Sequence, residues 1–538
     1  LISTPPPPVF HTYYFFSLLL LYSSVGRSLW DRLLLFLFLY SSLPSFPRPQ
    51  EGCVLVCPSS SNMSTAKEME VPTTRPVVYK VYKRRFWGLA QLVLLNIVVS
   101  WDWLTFSSIS TTAAEYFDVS ESAINWLSTG YQFAFCIASP FVIWVLNKGG
   151  PKPAIVTTAA LLLVGNWLRY AGTKANGGIF GLAMFGQIII GLAQPFCLCA
   201  PTRYSDLWFS DKGRTSATAL ASLANPLGAA IGQLVDSEWA TKPSDIPNMV
   251  LYISVISTVA SIPAFFLPAS PPTPPSASST VPRTPLIPAT RQLLGTLEFW
   301  LILAPFAVYV GFFNSISSLL NQILSPYGFS ENDAGIAGAI LIVAGLLSAA
   351  ITSPITDRWK HYLGSIRILV PIIVASYIGL IFAPASSAGI GPIYVVMALM
   401  GASSFAMLPI VLEYLVEITY PFSPEIGSTI CWTGGQLLGA CFILIQDALK
   451  DGDGDAGPPG NMHRALIFSC VICAVVAPLP MSIGLFGRIV KRRRWDVDRG
   501  VELDVSEVSP QGTEVVPDGG ISHTHSGSVL EDSACKKV

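Results

Sequence analysis

The chain has 538 residues, of which 51% are hydrophobic and only 12% are charged, and its formal net charge is −1. This composition excludes an intrinsically disordered protein and is typical of a protein with many membrane-spanning helices rather than of a soluble enzyme. Because the net charge is close to zero, no bulk attraction for nucleic acid is expected. The ten cysteines lack the spacing of a secreted disulfide framework, so no disulfide scaffold is predicted.

The first methionine of the chain is Met63. Residues 1–62 carry a proline run and two apolar patches of about ten residues each, which are too short to span a bilayer as helices. We expect residues 1–62 to be a non-native or disordered extension. Residues 63–85 are then expected to form a cytoplasmic N-terminal segment that ends in basic residues.

From residue 86 onward, apolar stretches of about 20 residues recur, and each is long enough to cross a bilayer as a helix. They predict an all-α membrane protein with twelve transmembrane helices. Spans 1 to 6 fall in residues 86–268, at about 86–110, 124–146, 153–173, 178–202, 215–235 and 248–268. Spans 7 to 12 fall in residues 296–488, at about 297–324, 335–356, 367–385, 391–419, 426–449 and 465–487. A Pro/Ser-rich linker, residues 269–295, joins the two halves, and residues 489–538 are predicted to be a disordered tail.

Basic residues are enriched in every second connection. These connections contain Lys148 and Lys152; Arg203, Lys212 and Arg214; Arg283 and Arg291; Arg358, Lys360 and Arg367; and Arg488 with Lys491. The other connections are acidic or neutral and include Asp118, Asp236, Glu331 and Asp447, whereas Arg169 is an exception to the alternation. By the positive-inside rule, both termini and the linker are predicted to be cytoplasmic. A plasma membrane and a vacuolar or lysosome-like membrane both remain open as the location.

The two halves show a weak internal repeat. Asn225-Pro-Leu-Gly-Ala229 of span 5 matches Gln436-Leu-Leu-Gly-Ala440 of span 11 when one residue of slack is allowed. Two pseudo-symmetric six-helix halves with a binding site at their interface are the architecture of secondary transporters. The sequence therefore predicts a site near the middle of the membrane, between the halves.

Asp102 lies within the apolar run of span 1. A carboxylate at such a position costs about 2.5–3.5 kcal/mol on insertion scales, so it is expected to face protein or a water-filled cavity. Two interpretations stay open: a role in binding a substrate or a proton, and a structural hydrogen bond or charge pair with another helix.

Span 1 also carries a polar face that surrounds one large aromatic ring. Asn96, Ser100, Trp103 and Ser107 recur at helical spacing. Such a face suits a water-lined cavity in which Trp103 offers its ring to a cationic group. The alternative is a tryptophan packed in an ordinary core.

Two glutamines are further candidates for a polar site inside the membrane. Gln194 precedes Pro195, whose ring removes a helical hydrogen bond and frees a backbone carbonyl. Gln436 follows Gly434 and Gly435, which permit a close approach of a helix or a ligand. For both amides, packing against a neighbouring helix is the alternative interpretation.

Glu413 and Glu417 are four residues apart on span 10 and so share a face. Two carboxylates that share a face inside a membrane can take up a proton, which would allow proton coupling. The alternative is a cytoplasmic latch, in which Glu417 pairs with a cation such as Arg358 or Arg203.

The turn Asp357-Arg358-x-Lys360, the twelve spans and the central linker resemble the major facilitator superfamily. Further motifs resemble one branch of it, the feline leukaemia virus subgroup C receptor-related transporters. These motifs are Tyr82-Lys-Arg-Arg-Phe-Trp87, Trp103-Leu-Thr-Phe-Ser-Ser-Ile109, Asn125-Trp-Leu-Ser128, Ala193-Gln194, Pro201-Thr-Arg203, Trp208-Phe209 and Glu413-Tyr-Leu-Val-Glu417-Ile-Thr-Tyr-Pro421. The resemblance covers about residues 80–490.

The resemblance implies a major facilitator fold and a small cargo such as choline, ethanolamine, pyridoxine or haem. It implies that Trp103, Gln194 and Gln436 contact the substrate, and that Asn314 stands where the choline carriers have a tyrosine. Asn96 is included as a fifth candidate because it lies on the face of Trp103. The resemblance also places Asp357 and Arg358 at a cytoplasmic gate, to which we assign Arg203 as a cation that Glu417 can pair with.

The sequence thus predicts a secondary transporter, either a facilitator or proton-coupled, for a small polar or cationic metabolite. The alternatives are a haem exporter of the same fold and a transporter-like receptor. The sequence shows no catalytic triad, phosphate-binding glycine loop or zinc-hydrolase motif, so no enzyme, cofactor or metal site is predicted. The expected partners are the small-molecule substrate and the lipid bilayer, without nucleic acid, and the protein is expected to be monomeric.

Overall fold

The structure is a computed structural model that describes residues 80–273, 275, 286–359, 362–419, 424–451 and 457–483. Within these ranges, the side chains of residues 176, 211–216, 286, 287, 353, 354, 357–359, 416, 417 and 424 are not described. The predicted N-terminal extension 1–62, the segment 63–79 and the tail 489–538 lie outside the described residues. The predictions for these segments stay as they were made.

In the described residues, twelve helices are long and apolar enough to cross a membrane. Spans 1 to 6 are Arg85–Leu104, Glu121–Gly149, Pro151–Lys174, Phe180–Leu198 with its continuation Ala200–Trp208, Asp211–Trp239, and Ile246–Ser261 with the 3-10 turn Ile262–Phe266. Spans 7 to 12 are Leu297–Leu324, Glu331–Trp359, Tyr362–Phe382, Gly391–Thr419, Pro424–Ala448, and His463–Val476 with Pro478–Ser482. The predicted number of spans is confirmed.

The packing of the spans repeats between the two halves. Span 1 packs on span 5, span 2 on span 4, and span 3 on spans 4 and 6. The same pairs recur six spans later, as span 7 on span 11, span 8 on span 10, and span 9 on spans 10 and 12. The halves meet through span 2 against span 11 and span 5 against span 8, which the same shift relates. This confirms two pseudo-symmetric six-helix halves.

Span 1 is shorter than predicted. Its helix ends at Leu104, and a separate short helix, Ser110–Phe117, follows. The intervening turn is rich in Ser and Thr, whose hydroxyls compete with the helical backbone: the Ser108 Oγ donates to the Thr105 carbonyl at 3.3 Å. The prediction that one helix continues to residue 110 was wrong, because it relied on the apolar character of the stretch and did not consider the hydroxyl-rich turn.

Two charged residues that the sequence placed near helix ends or in connections are buried within the helices. The helix of span 5 continues to Trp239, so Asp236 is a helical residue with no exposed surface. Arg169, the exception to the charge alternation, lies inside span 3 and is also fully buried. The central linker contains a helix as well, Leu286–Leu294, which buries Ala289 and Leu293.

Close helix contacts depend on glycine at several crossings. A Cβ atom on Gly228 of span 5 would fall onto the backbone of Ile97 in span 1, whereas a Cβ atom on Gly181 of span 4 would meet no heavy atom within 4 Å. Small residues at such crossings let membrane helices approach each other.

We predict that Gly228→Val forces spans 1 and 5 apart and destabilises the fold by about 1–3 kcal/mol, the usual cost of overpacking. Thermal unfolding of the purified protein in detergent should show a lower midpoint. Gly181→Val is the matched control and should leave the midpoint close to that of the unchanged protein. Equal midpoints for the two variants would contradict the close crossing.

Candidate functional site

A cavity lies between the two halves and contains about 990 Å³ of space free of protein atoms, including its opening. Spans 1, 4 and 5 line it from the N-terminal half, and spans 7, 9, 10, 11 and 12 line it from the C-terminal half. Its lining is mostly apolar and aromatic, as in ligand pockets generally. None of the described lining residues is Asp, Glu, Lys, Arg or His.

The structure brings Trp103, Gln194, Asn314 and Gln436 together around this cavity. These residues come from spans 1, 4, 7 and 11, so both halves contribute. Spacing along the chain does not predict this proximity, because the four residues are far apart, and only the family resemblance implied a shared site.

Trp103 is buried and its ring faces that of Phe313 across the two halves, with 6.5 Å between the ring centroids. Its indole Nε1 has no hydrogen-bond partner among the described residues. Buried polar atoms are almost always hydrogen-bonded, so this N–H is available to a polar group that enters the cavity.

The amides divide into a paired and an unpaired set. The Asn314 Nδ2 donates to the Gln436 Oε1 at 3.1 Å, which links spans 7 and 11 within the C-terminal half. By contrast, the Gln194 Oε1 has no hydrogen-bond partner in the described part of the chain, and neither has the Ser100 hydroxyl. The cavity therefore offers one indole donor, one amide acceptor and one hydroxyl for which the described residues supply no hydrogen-bond partner.

Asn96 does not line the cavity. Its Nδ2 donates to the Leu92 carbonyl at 2.9 Å and to the Cys197 carbonyl at 3.2 Å, which ties span 1 to span 4. These bonds draw the side chain away from Trp103, although helical spacing places both residues on one face. In this structure Asn96 fastens two helices together.

Asp102 is held in a buried ion pair and does not reach the cavity. The Arg169 Nη2 donates to the Asp102 Oδ1 at 2.7 Å, and both side chains have no exposed surface. The Asn166 Nδ2 donates to the other carboxylate oxygen at 2.7 Å. The same guanidinium donates to the Asp102 carbonyl and to Gln187. Of the two interpretations, this geometry favours the structural charge pair.

The remaining candidate residues either do not line the cavity or have side chains that the structure does not describe. Glu413 is half-buried and is not a lining residue. The Arg203 Nη1 lies 3.4 Å from the Asp206 Oδ2 on its own helix. The backbones of Asp357 and Arg358 are helical, but these two side chains and that of Glu417 lie outside the described residues. The gate and latch predictions therefore stay predictions.

Several lining residues escaped the sequence analysis. Aromatic rings come from Phe306, Tyr309, Phe313, Phe405 and Trp432, and further polar groups come from Asn225 and Ser404. Nothing in the local sequence separates the aromatic residues from ordinary apolar span residues, whereas Asn225 was visible as the position that the internal repeat matches to Gln436. Gln132 was also missed: it is fully buried beside Gly439, which Asn314 also approaches, and neither of its amide atoms has a partner among the described residues. Its spacing from Asn125 and Ser128, seven and four residues, was a usable signal.

A set of polar contacts joins the halves at the end of the bundle that holds the connection between spans 1 and 2. We call Glu121, Asn125, Gln322, Glu331, Asp447 and Lys450 the seal. The Gln322 Nε2 donates to the Asn125 Oδ1 at 2.7 Å, and the Asn125 Nδ2 donates to the Asp447 Oδ1 at 2.9 Å. The Lys450 Nζ donates to the Glu121 Oε2.

Glu331 completes the seal by holding the short helix Ser110–Phe117. Its Oε1 accepts from the backbone N–H groups of Thr111 and Thr112, at 3.0 and 3.2 Å, and its Oε2 accepts from the Thr112 hydroxyl at 2.7 Å. A carboxylate is favoured at a helix N-terminus because the first N–H groups have no helical partner. Span 8 of one half thus caps a helix of the other.

Comparison with known proteins agrees with this architecture. A family model described as Major Facilitator Superfamily matches residues 92–442. The chain belongs to this superfamily. Within the superfamily its relatives are those that the motifs had indicated, so the resemblance noted in the sequence is confirmed.

Three relatives are similar over most of their length. Solute carrier family 49 member A3 of Danio rerio is 32% identical over 380 residues, which cover 69% of this chain and 80% of the relative. The human choline/ethanolamine transporter FLVCR2 is 28% identical over 424 residues, covering 76% and 78%. The choline/ethanolamine transporter FLVCR1 of Mus musculus is 31% identical over 414 residues, covering 70% and 72%.

Among solved structures, a bacterial homologue of the human lysosomal transporter Spinster, in an inward-facing and unoccupied conformation, has the same fold. The superposition has a TM-score of 0.54 at 15% identity and covers 75% of this chain and 97% of that chain. This likeness supports the major facilitator fold alone. The protein is a multi-pass integral membrane protein of this superfamily.

In this superfamily member, breaking the Asp102–Arg169 pair should strongly destabilise the fold. Removing one partner of a buried ion pair leaves an uncompensated charge and costs about 3–5 kcal/mol. We therefore predict that Arg169→Met strongly lowers the unfolding midpoint of the purified protein. Arg203→Met, which removes a partly exposed pair worth about 0–1 kcal/mol, is the control and should change little. A midpoint for Arg169→Met equal to that of the control would contradict the buried pair.

Proposed function

We propose that the chain is a secondary transporter that moves a small polar or cationic metabolite across a membrane, with choline and ethanolamine as the first cargoes to test. The main support is the cavity between the halves, with Trp103, Gln194, Asn314 and Gln436 on its walls. The relatives named as choline/ethanolamine transporters add to this support.

The chemistry of the lining suits an organic cation better than an anion. No described lining residue carries a positive charge, so an anionic cargo would find no counter-ion. Aromatic ring faces attract cations, and the interaction is worth about 2 kcal/mol when the cation is desolvated. Trp103 and Phe313 offer such faces, while the Gln194 Oε1 can accept a hydrogen bond from an ammonium or hydroxyl group.

The haem alternative finds less support in the lining. Haem needs an axial ligand, commonly His, Cys, Met or Tyr. Neither His nor Cys is present among the described lining residues, which leaves Met407 and Tyr309 as candidate ligands. The Tyr309 hydroxyl already donates to the Cys473 carbonyl at 3.4 Å. We therefore favour a smaller cargo.

The mechanism we propose is alternating access through rocking of the halves. The cavity reaches Ile302, Ile366 and Ile483, which lie near the ends of spans 7, 9 and 12 opposite the seal. By the positive-inside rule, these ends are cytoplasmic. The described conformation would then be closed outside by the seal and open toward the cytoplasm, with both termini on the cytoplasmic side.

We predict that Trp103→Ala weakens cation transport. Losing about 2 kcal/mol of cation–π attraction raises the KM for choline about 30-fold, and radiolabelled choline and ethanolamine uptake in transport-deficient cells measures this. Trp144→Ala, which removes an exposed tryptophan of span 2, is the control and should keep the original KM at equal surface expression. Absence of uptake of either cargo by the unchanged protein would refute the cargo assignment, and equal KM values for the two variants would refute the role of Trp103.

We also predict that fixing the seal stops transport. In a variant without native cysteines, Asn125→Cys with Gln322→Cys places two thiols at a hydrogen-bonded contact between the halves. A short cleavable bifunctional thiol reagent should then abolish uptake, because the two residues must separate before the cavity can open at the seal. Cleavage of the reagent should restore uptake. The two single-cysteine variants are the controls. Undiminished uptake by the fully cross-linked protein would contradict alternating access through this end.

A further inference from the structure

Asp236 is a buried carboxylate that the transport site does not use. It lies in the last turns of span 5 and has no exposed surface. Its Oδ1 accepts a hydrogen bond from the Trp101 Nε1 at 2.8 Å. Its Oδ2 is buried and has no hydrogen-bond partner among the described residues. Such an acid is stable either with a counter-ion or with a bound proton.

The nearby counter-ion is already engaged by another acid. The Arg169 Nη2 donates to Asp102 and to the Asn166 Oδ1, and the Nη1 donates to the Asp102 carbonyl and to the Gln187 Oε1. The Arg169 guanidinium is therefore the shared positive charge near two carboxylates, Asp102 and Asp236, and of these two only Asp102 is hydrogen-bonded to it. If both were ionised, this part of the membrane interior would hold an excess negative charge, which low dielectric disfavours.

Other titratable groups around Asp236 do not supply the missing charge. Span 1 places the uncharged indole of Trp101 and the carboxylate of Asp102 near Asp236, and span 3 places the guanidinium of Arg169 there. From span 8, Gly335 and Gly338 pack against Gln233 and Ser237. The acids at the start of span 8, Glu331 and Asp333, bond to the helix Ser110–Phe117 and to Ser330. Span 6 packs Tyr252 on Trp239, and Glu238 of span 5 is exposed.

Asp236 is also flanked by residues that bind the opposite half. Three residues earlier on the helix, the Gln233 Nε2 donates to the Ser317 carbonyl of span 7 at 2.9 Å. A Cβ atom on Gly338 of span 8 would lie 2.9 Å from the Gln233 side chain, so spans 5 and 8 are in close contact here. A change in the charge of Asp236 therefore acts within a turn of the contact between the halves.

We propose that Asp236 is a proton-binding site whose protonation favours the arrangement with the seal closed. The step is the transfer of one proton from a hydronium ion to the carboxylate: an O–H bond of the hydronium ion breaks and leaves a water molecule, and a new O–H bond forms a neutral carboxylic acid. The neutral acid fits the buried site beside Trp101. Loss of the proton leaves a charge that is better solvated when spans 5 and 8 separate and water enters. The proton site can be tested without any cargo, so it stands apart from the proposed transport of choline.

The direct test is infrared difference spectroscopy of the purified full-length protein during a pH titration. A protonated carboxylic acid has a carbonyl-stretch band that disappears on ionisation. We expect Asp236→Asn to remove one titrating band. Glu238→Gln, which changes the exposed neighbouring acid, is the matched control and should keep that band. Asp236→Glu should restore a band at a shifted position. Persistence of the band in Asp236→Asn, or absence of any such band in the unchanged protein, would overturn the proposal.

A second test measures closure of the seal. In the variant with Asn125→Cys and Gln322→Cys, the cross-linking rate should rise as pH falls, relative to the same variant that also carries Asp236→Asn. The variant that also carries Asp236→Asn reports the intrinsic pH dependence of the thiols. One linked proton changes the closing equilibrium by up to about tenfold per pH unit. Identical pH dependence with and without Asp236→Asn would overturn the link between protonation and closure, whereas failed choline uptake would refute only the cargo assignment.

Discussion

The structure depends on one constraint: polar groups inside a helical membrane protein must find partners within the protein, in bound water or in a ligand. Span 1 shows three ways in which this constraint is met. Asp102 forms an ion pair with the buried Arg169, and Asn96 donates to backbone carbonyls of its own helix and of span 4. The N–H of Trp103 has no partner among the described residues and is available to a ligand in the cavity. Three residues of span 1 thus serve in an ion pair, in helix packing and in ligand binding, respectively.

The same constraint separates the rigid parts of the molecule from the parts that we expect to move. Within the N-terminal half, the Nη1 and Nη2 atoms of Arg169 donate to Asp102, Asn166 and Gln187, so spans 1, 3 and 4 form one unit. Between the halves, the seal combines a buried pair of amides, Asn125 and Gln322, with a partly exposed ion pair between Lys450 and Glu121. Water can replace the partly exposed ion pair at little cost, which suits the opening of the seal that we propose.

The number of spans, the six-plus-six division and the family followed from the sequence because apolar length and short motifs are local properties. Helix ends were less predictable, since the hydroxyl-rich turn after Leu104 and the extension of span 5 to Trp239 depend on local hydrogen bonds and on burial. Asp102 was visible as an unusual charge within a span, and Arg169 as an exception to the charge alternation of the connections. Their pairing was not predicted, because it depends on how span 3 packs on span 1.

For the cavity, the sequence supplied the amides and one tryptophan but not the ring that faces it. Phe313 resembles any other apolar residue of span 7 until the two halves meet. The bond between Asn314 and Gln436 was likewise hidden, although each residue had been singled out. Contacts between helices depend on rotation about each helix axis, which a single sequence specifies only weakly.

The central claim is that the halves enclose a wet cavity that is open to one side of the membrane at a time. Reaction of Ser404→Cys with a membrane-impermeant thiol reagent, in a variant without native cysteines and in vesicles of both orientations, tests it directly. We expect reaction from the cytoplasmic side, and we expect it to persist when the seal is cross-linked. A thiol that reacts from neither side, or equally from both sides while the seal is cross-linked, would contradict this account.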